Sequence, residues 1–196
     1  MNLSVNSMDG AAIRVRKVFA SQRTAFEADP YPLAERRREK LKALKRQIGR
    51  YQDVLADAMS KDFGFRAPTE SKMLDLLGSM LEANHAISHL KRWMKPSRRA
   101  TELLFLTNSL SVTYQPKGVV GVIVPWNFPI YLAVGPLIAA LAAGNRVMIK
   151  MSEITPATNA ALHRHRELDG FAAQARDHLA LLAGRHVAKQ LIMNLK

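Results

Sequence analysis

The chain has 196 residues, with 29 Lys or Arg against 16 Asp or Glu, so its formal net charge at pH 7 is +13. This length accommodates one domain, or one domain with an appendage. The absence of cysteine excludes disulfide bonds, thiolate metal sites and a cysteine nucleophile within these residues.

The apolar segments predict neither a signal peptide nor a membrane span. The N-terminus carries Asp9 and Arg14 and lacks the apolar core of a signal peptide. The longest apolar stretch, Ile130 to Ala143, is too short to cross a bilayer and contains Pro136, so we expect a buried helix there. The expected protein is soluble and cytoplasmic, with no membrane partner.

Helical periodicity dominates the first hundred residues. Apolar residues recur every three or four positions from Ala11 to Ala28 and again from Leu33 to Phe63. Gly49 weakens the middle of the second segment, and Gly64 is its expected stop. These two segments predict amphipathic helices.

Basic residues are concentrated in the first half of the second predicted helix. They are spread around the helix, which favours a solvated face over a stripe that would fit a nucleic-acid groove. A nucleic-acid partner is therefore a weak hypothesis that rests on charge alone. The residues are Arg36, Arg37, Arg38, Lys40, Lys42, Lys45 and Arg46.

A third helix is predicted after Pro68 and ends at about Met94, before Pro96. Glu70 and Asp75 are the acidic residues of its start. The pattern then changes to period two, and Leu103 to Tyr114 predicts two short strands in a hairpin with Asn108 and Ser109 at the turn.

The segment from Gly118 to Lys150 predicts a parallel βαβ unit. Gly118 to Val124 is a continuous, β-branched apolar run, as is typical of a buried parallel strand. Phe128 to Ala143 predicts a helix with Pro129 in its first turn and Gly144 at its stop, and Asn145 to Lys150 predicts a second strand. Such a unit requires a right-handed crossover.

Ligands of open α/β sheets bind beyond the carboxyl ends of the strands, so the residues after each predicted strand are the candidate site. An ammonium group there can reach a phosphate or ribose oxygen, a carboxylate can accept from a ribose diol, and an amide can stabilise an oxygen that becomes negative. The candidates are Pro125, Trp126, Asn127 and Phe128 after the first strand, and Lys150, Ser152 and Glu153 after the second.

Each candidate also has a purely structural interpretation. Trp126 and Phe128 could be core aromatics. Lys150 and Glu153, three residues apart, could be an exposed ion pair of little energetic consequence. Asn127 could serve only to satisfy a turn. The joint order and spacing of these residues favour the functional interpretation.

The sequence GVVGVIVPWNFPIYLAVGPLIAALAAGNRVMIKMSE, residues 118–153, resembles the signature of the aldehyde dehydrogenase superfamily, in which PWNFP is followed about two dozen residues later by KPSE. Met151 stands where the family has proline, and we expect this change to loosen the strand exit slightly. The upstream motifs RKVFASQRTAF, DFG and LKRWMKP are similar to the class-3-type branch, and most similar to bacterial coniferyl aldehyde dehydrogenases.

The resemblance implies a truncated α/β fold of the aldehyde dehydrogenase type. In it, an N-terminal helical segment and a β-hairpin precede a partial Rossmann-like βαβ unit. It implies that the Asn127 amide lines an oxyanion hole, that residues Ile123 to Trp126 form the wall of an NAD or NADP site, and that Lys150 and Glu153 hold the adenosine ribose beside Ser152. A carboxylate on the ribose favours NAD, although this branch tolerates both cofactors. The implied partners are a small-molecule aldehyde and further copies of the subunit.

The family oxidises aldehydes to carboxylates through attack by a cysteine, hydride transfer to nicotinamide, and thioester hydrolysis with a glutamate as base. This chain has no cysteine, and it also lacks the GSTxxG turn and the carboxy-terminal catalytic domain. We therefore expect the chain alone to be inactive, with weak cofactor binding. The alternative is a non-catalytic interaction module that pairs with a full-length subunit through the 103–114 hairpin.

The sequence divides into an aldehyde dehydrogenase-like portion, residues 1–162, and a divergent tail, residues 163–196, whose composition favours a frameshift origin. Four histidines lie in the tail without supporting carboxylate spacing, so no metal site is predicted. Phe171 to Leu182 has a helix-forming composition without an evident partner face.

Overall fold

The computed structural model describes residues 3–168 and 179–182. A helical N-terminal part is followed by a small hairpin and then by alternating strands and helices. The helices are α1 (Leu3–Glu27), α2 (Ala34–Arg50), α3 (Gln52–Phe63), α4 (Pro68–Ser71), α5 (Gly78–Trp93), α6 (Tyr131–Ala143) and α7 (Pro156–Leu168). The strands are β1 (Ser97–Arg99), β2 (Leu110–Val112), β3 (Val119–Ile123), β4 (Arg146–Lys150) and β5 (Leu179–Leu182).

The second predicted helix is two helices, so that prediction needs correction. Tyr51, with φ −105° and ψ 16°, leaves helical geometry between α2 and α3. The break lets α2 pack against α5 while α3 packs against α7. Gly64 ends α3 in the left-handed conformation that the sequence predicts for a helix stop.

The third predicted helix is confirmed, with one feature that its periodicity does not reveal. A π-helical segment, Lys72–Leu77, connects α4 to α5. Wide π turns inside α-helices are rare and are frequently found at functional sites. Here the π turn contains Asp75, which is completely buried.

The hairpin prediction is wrong in its first strand. β2 pairs antiparallel with β1, so that Ser97 faces Val112, whereas Leu103–Phe105 form a 3₁₀ turn in the connection. The N–H of Phe105 donates to the Glu102 carbonyl and the N–H of Asn108 donates to the Phe105 carbonyl. Because these amide groups close local turns, the segment cannot pair as a strand.

The parallel βαβ unit is confirmed. β3 and β4 pair in parallel from Val119 opposite Arg146 to Ile123 opposite Lys150, and α6 forms the crossover. α6 begins at Tyr131, three residues after the predicted start, and ends at Gly144 with φ 90°. α6 is buried along most of its length, as expected of its apolar sequence.

A third parallel strand extends the sheet to the order β3-β4-β5. β5 lies inside the segment with helix-forming composition, and Met148 of β4 faces Ala180. Residues 179–182 thus form a strand despite their helix-forming composition, because pairing with a buried strand outweighs local propensity. Residues 171–178 lie outside the described part of the chain.

The main core lies between α6, the sheet and the helices α2, α3 and α5. α1 is tied to the sheet by Arg146, whose guanidinium donates to the Gln22 side chain and the Ala25 carbonyl. Within residues 3–168 no helix is long and apolar enough to cross a membrane.

The interpretation of the basic residues of α2 as a solvated face is wrong for Arg37 and Lys40, which are buried. Arg37 donates to the carbonyl oxygens of Pro32, at 2.8 Å, and Ala142, at 3.1 Å. Burial lowers the pKa of Arg37 from its ordinary value, opposed by the charge of Asp29. This arginine therefore joins α2 to the end of α6.

Candidate functional site

The candidate residues follow two strands that end side by side. Ile123 pairs with Lys150 at the last position of the parallel register, and the Val124 N–H donates to the Lys150 carbonyl at 2.9 Å. Both strand exits therefore lie at one edge of the sheet, as the sequence predicts for a ligand site in an open α/β sheet.

The side chains at the first exit are mostly exposed. Val124 is buried in the core, whereas Ile123 is 45% exposed and Trp126 is 50% exposed. Pro125 is also exposed. Trp126 contacts the ring of Phe63, with 6.3 Å between the ring centroids. Trp126 is thus not a core aromatic, and an apolar surface is open to a flat ligand here.

Asn127 lies at the tip of the same turn with an exposed side chain. Its backbone carbonyl accepts a hydrogen bond from Nη1 of Arg66 at 3.2 Å. The main chain of Asn127 is therefore anchored while its side-chain amide faces outward, an arrangement that leaves the amide available as a donor to a ligand.

The second exit contains an ion pair between Lys150 and Glu153. The Lys150 side chain is only 7% exposed, but the Glu153 side chain is 47% exposed. One interpretation of the sequence was an exposed ion pair of little energetic consequence. The observed pair instead joins a buried ammonium group to a carboxylate at the surface. A donor and an acceptor side by side fit a vicinal diol such as that of a ribose.

Ser152 is buried and shapes the second turn instead of facing outward. Its carbonyl accepts hydrogen bonds from Asn159 Nδ2 at 2.6 Å and from Thr155 Oγ1 at 3.3 Å. Its hydroxyl accepts from the Ile154 N–H at 3.3 Å. Met151, at the position where the family has proline, is buried in the main core.

Arg66 and Asp75 stand behind the first turn, and the sequence interpretation missed both. Arg66 Nη2 donates to Asp75 Oδ2 at 3.0 Å. Asp75 Oδ1 accepts from the N–H groups of Ile130, at 3.2 Å, and Tyr131, at 3.0 Å. One buried pair thus holds both the Asn127 carbonyl and the first turn of α6.

Burial raises the pKa of the Asp75 carboxyl above its ordinary value. Hydrogen bonds from the Tyr131 and Ile130 N–H groups and the charge of Arg66 oppose this effect. A buried carboxyl is tolerated only when such donors satisfy its oxygens.

The sequence contains a signal that Asp75 is buried. The interpretation of Asp75 as an acidic residue at a helix start overlooks this signal. Asp75 is in register with Ser79, Ala83, Ala86 and Leu90, all of them buried. An acidic residue on the buried face of a helix requires a partner elsewhere in the fold. Nothing in the sequence identifies Arg66 as that partner.

A parallel sheet with a crossover helix, and with its candidate side chains beyond the strand ends, places the chain in the class of open α/β proteins, whose ligands bind at this edge of the sheet. The sequence matches the aldehyde dehydrogenase family over residues 4–194, and the chain belongs to that family. The predicted family membership is confirmed.

Named relatives are consistent with the branch that the upstream motifs predict. The chain is 48% identical over 149 residues to a probable coniferyl aldehyde dehydrogenase of Pseudomonas aeruginosa, covering 76% of this chain and 31% of that protein. It is 37% identical over 142 residues to aldehyde dehydrogenase family 3 member B2 of Mus musculus, covering 72% of this chain and 29% of that protein.

Similarity in structure extends over most of the chain. The crystal structure of Mycobacterium tuberculosis aldehyde dehydrogenase complexed with NAD+ superposes with a TM-score of 0.76 at 26% identity, covering 92% of this chain and 36% of that chain. The chain spans about a third of the length of these relatives.

Proposed function

We propose that this chain is the cofactor-side part of an NAD(P)-dependent aldehyde dehydrogenase and is inactive by itself. The observation that carries the proposal is the parallel register that ends with Ile123 beside Lys150. It brings the PWNFP turn and the KMSE turn to one edge of the sheet, where a dinucleotide can contact both.

In this proposal Lys150 and Glu153 bind the adenosine ribose of the cofactor. The Glu153 carboxylate is half exposed and accepts from the diol, while the buried Lys150 holds the carboxylate in place. Ile123 and Trp126, both half exposed, provide an apolar wall beside them. The bound nicotinamide supplies the hydride acceptor for aldehyde oxidation.

Asn127 acts on the substrate in this proposal. Its side-chain amide donates a hydrogen bond to the aldehyde oxygen, which becomes negative when a nucleophile adds to the carbonyl carbon. The hydrogen bond from Arg66 to the Asn127 carbonyl limits the movement of the turn. A donor that is oriented before the reaction stabilises the developing charge without reorganisation.

Calorimetric titration of the purified chain with NAD+ and NADP+ tests the cofactor site. We expect weak binding of NAD+, and we expect Glu153→Ala to lower that affinity by about tenfold, the effect of one hydrogen bond to a charged group. Glu153→Gln is expected to favour NADP+ relative to NAD+, because it removes the charge that repels a 2′-phosphate.

Glu35→Ala is the matched control, since Glu35 is an exposed carboxylate paired with Lys91 at 3.0 Å. Its NAD+ affinity should equal that of the unmodified chain. Absence of binding heat at millimolar NAD+, or equal losses in Glu35→Ala and Glu153→Ala, contradicts the proposed cofactor site.

A second candidate function is that of an interaction module. The 3₁₀ turn of the hairpin connection leaves apolar side chains in solvent, with Leu103 82% exposed, Leu104 88% exposed and Leu106 67% exposed. Contiguous exposed apolar residues mark interaction surfaces. Co-purification with a full-length homologue tests this function. Loss of co-purification in the double variant Leu104→Ser with Leu106→Ser supports it, and undiminished co-purification contradicts it.

The division at residue 162 also remains a proposal. The family match extends to residue 194, and β5 lies within the predicted tail. The DNA downstream of codon 162, read in three frames, tests a frameshift origin. A GSTxxG motif and a cysteine codon in another frame support that origin, and a full-length homologue with the same tail in frame contradicts it.

A further inference from the structure

Arg66 lies in the loop between α3 and α4 with its guanidinium group almost completely buried. Its two terminal nitrogens are directed to different elements, Nη1 to the Asn127 carbonyl and Nη2 to Asp75. Its central carbon lies 5.1 Å from the ring centroid of Phe63 and 5.0 Å from that of Phe128. The planar group is thus fixed in orientation by both rings.

Asp75, the partner of Arg66, also binds the far end of the turn. Its second carboxylate oxygen accepts from Ile130 and Tyr131, where α6 begins. The residues from Asn127 to Tyr131 are therefore held at both ends by one buried pair. Ser79 adds to the rigidity of the π segment, since its hydroxyl donates to the Asp75 carbonyl at 2.6 Å.

The exposed part of the turn consists of Pro125, Trp126 and Asn127, whereas Pro129 and Ile130 are buried. Packing therefore fixes the later end of the turn, and the hydrogen bond from Arg66 to the Asn127 carbonyl restrains the exposed end. A hydrogen bond to the Asn127 carbonyl restricts rotation of that peptide group, and with it the direction in which the Asn127 side chain leaves the main chain.

We propose that Arg66 and Asp75 are positioning residues, which orient the Asn127 amide by holding the PWNFP turn from behind. Their catalytic relevance rests on the proposed function of Asn127. The two-pronged geometry of a guanidinium group is required, because one arginine must reach a carbonyl and a carboxylate in fixed directions.

Arg66→Lys separates positioning from simple charge neutralisation. A lysine retains a positive charge for Asp75, but its ammonium group cannot lie flat between two rings and donate along both directions. If Arg66 only neutralises Asp75, this variant behaves like the parent. If Arg66 positions the turn, this variant releases it.

The turn contains its own spectroscopic probe, because the chain has only two tryptophans, Trp93 and Trp126. In a Trp93→Phe parent, acrylamide quenching reports Trp126 alone. Loss of one charged hydrogen bond should raise the population of released turn conformers by about tenfold in Arg66→Lys. We expect stronger quenching of Trp126 and faster hydrogen exchange at the Ile130 and Tyr131 amides.

Asp53→Asn is the control, since it breaks the exposed ion pair with Lys72 at the start of the π segment. It should change neither quenching nor exchange. Urea unfolding of each variant separates release of the turn from loss of the fold. The proposal is overturned if Arg66→Lys shows the same quenching and the same exchange rates as the parent.

A measurement on the unmodified chain tests the proposal even if Arg66→Lys does not fold. Ile130 and Tyr131 stand at the start of α6, where N–H groups lack acceptors within the helix. The proposal requires these amides to exchange as slowly as that of Val134 in the next turn, and unprotected amides overturn it. Failure of NAD+ to bind in the calorimetric titration contradicts the proposed function instead. It does not affect the conclusion that Arg66 and Asp75 hold the turn.

Discussion

Gly64 and Gly144 both end helices in the left-handed conformation, with φ of 78° and 90°, but their surroundings differ. A Cβ atom at Gly64 would meet nothing within 4 Å. A Cβ atom at Gly144 would lie 2.7 Å from the central carbon of the Arg37 guanidinium group. Gly144 thus allows a buried arginine to reach the end of α6.

We predict that Gly144→Ala lowers the free energy of unfolding more than Gly64→Ala does. The strain of a left-handed alanine costs about 1–2 kcal/mol at either position, and only Gly144→Ala must also displace Arg37. Urea unfolding of both variants measures the difference. Equal losses would show that Arg37 moves aside without cost.

Asp75 predicts a characteristic pH dependence of stability. Because burial raises its pKa in the folded state, the folded protein binds a proton more tightly than the unfolded chain does. Its contribution to stability is complete below the ordinary carboxyl pKa of about 3.9. That contribution is lost as the pH rises through the raised pKa of the folded state.

We therefore expect the unfolding free energy of the unmodified chain, minus that of Asp75→Asn, to decrease as the pH is raised from about 4 through this window. The facing charged groups are Arg66 and, beside it, Glu70. Urea unfolding at several pH values measures the difference, with Asp53→Asn as the control. A difference that increases with pH would mean that pairing with Arg66 outweighs burial.

At the scale of the element, α7 depends on a cap from another helix. Asp62 of α3 accepts hydrogen bonds from the N–H groups of Ala157, at 2.8 Å, and Thr158, at 2.7 Å, and from the Thr158 hydroxyl, at 2.6 Å. A carboxylate at this end also complements the helix dipole. α7 begins just after the KMSE turn, so Asp62 supports the second half of the site.

We predict that Asp62→Ala lowers the free energy of unfolding by about 1–2 kcal/mol, as loss of a helix cap does. Hydrogen exchange should accelerate first at Ala157 and Thr158. The control is Asp57→Ala, an exposed position on the same helix, which should change stability by no more than about 0.5 kcal/mol. Unchanged exchange at Ala157 and Thr158 would refute the capping role.

Elements with strong local signals could be predicted from the sequence. The β-branched run before Pro125 and the apolar run that ends at Gly144 each specify their structure within a few residues. Leu103–Phe105 and β5 could not be predicted in the same way. Each is a short apolar segment that suits a strand or a helical turn equally well. Long-range pairing decides between them, since β5 pairs with β4 whereas β2 pairs with β1 and leaves Leu103–Phe105 unpaired as a strand.

At the scale of the whole molecule, the 196 residues contain no cysteine. A thiolate is both a strong nucleophile and an acceptable leaving group, and a hydroxyl would need a separate base. We predict that the purified chain forms no NADH from coniferyl aldehyde and NAD+ above a blank without protein. Absorbance measurements with a full-length coniferyl aldehyde dehydrogenase as positive control test this, and aldehyde-dependent turnover would contradict the prediction.

The candidate site likewise divides into a part that the sequence predicts and a part that only the fold supplies. The sequence predicts that the turns containing Asn127 and Glu153 follow parallel strands, and parallel pairing brings both to one edge of the sheet. Whether those residues bind a cofactor and a substrate stays a prediction. Arg66, which holds the Asn127 carbonyl, comes from a loop 61 residues earlier in the chain.

The sequence by itself determined the parallel strands, the buried helix between them, the glycine stops and the family, because each depends on residues close together in the chain. Only the tertiary structure decided that Arg37 and Asp75 are buried and that Asp62 caps α7. These contacts join positions 105, 55 and 95 residues apart. Local patterns do not encode them, since a buried charge is stable only where the folded chain brings its partners to it.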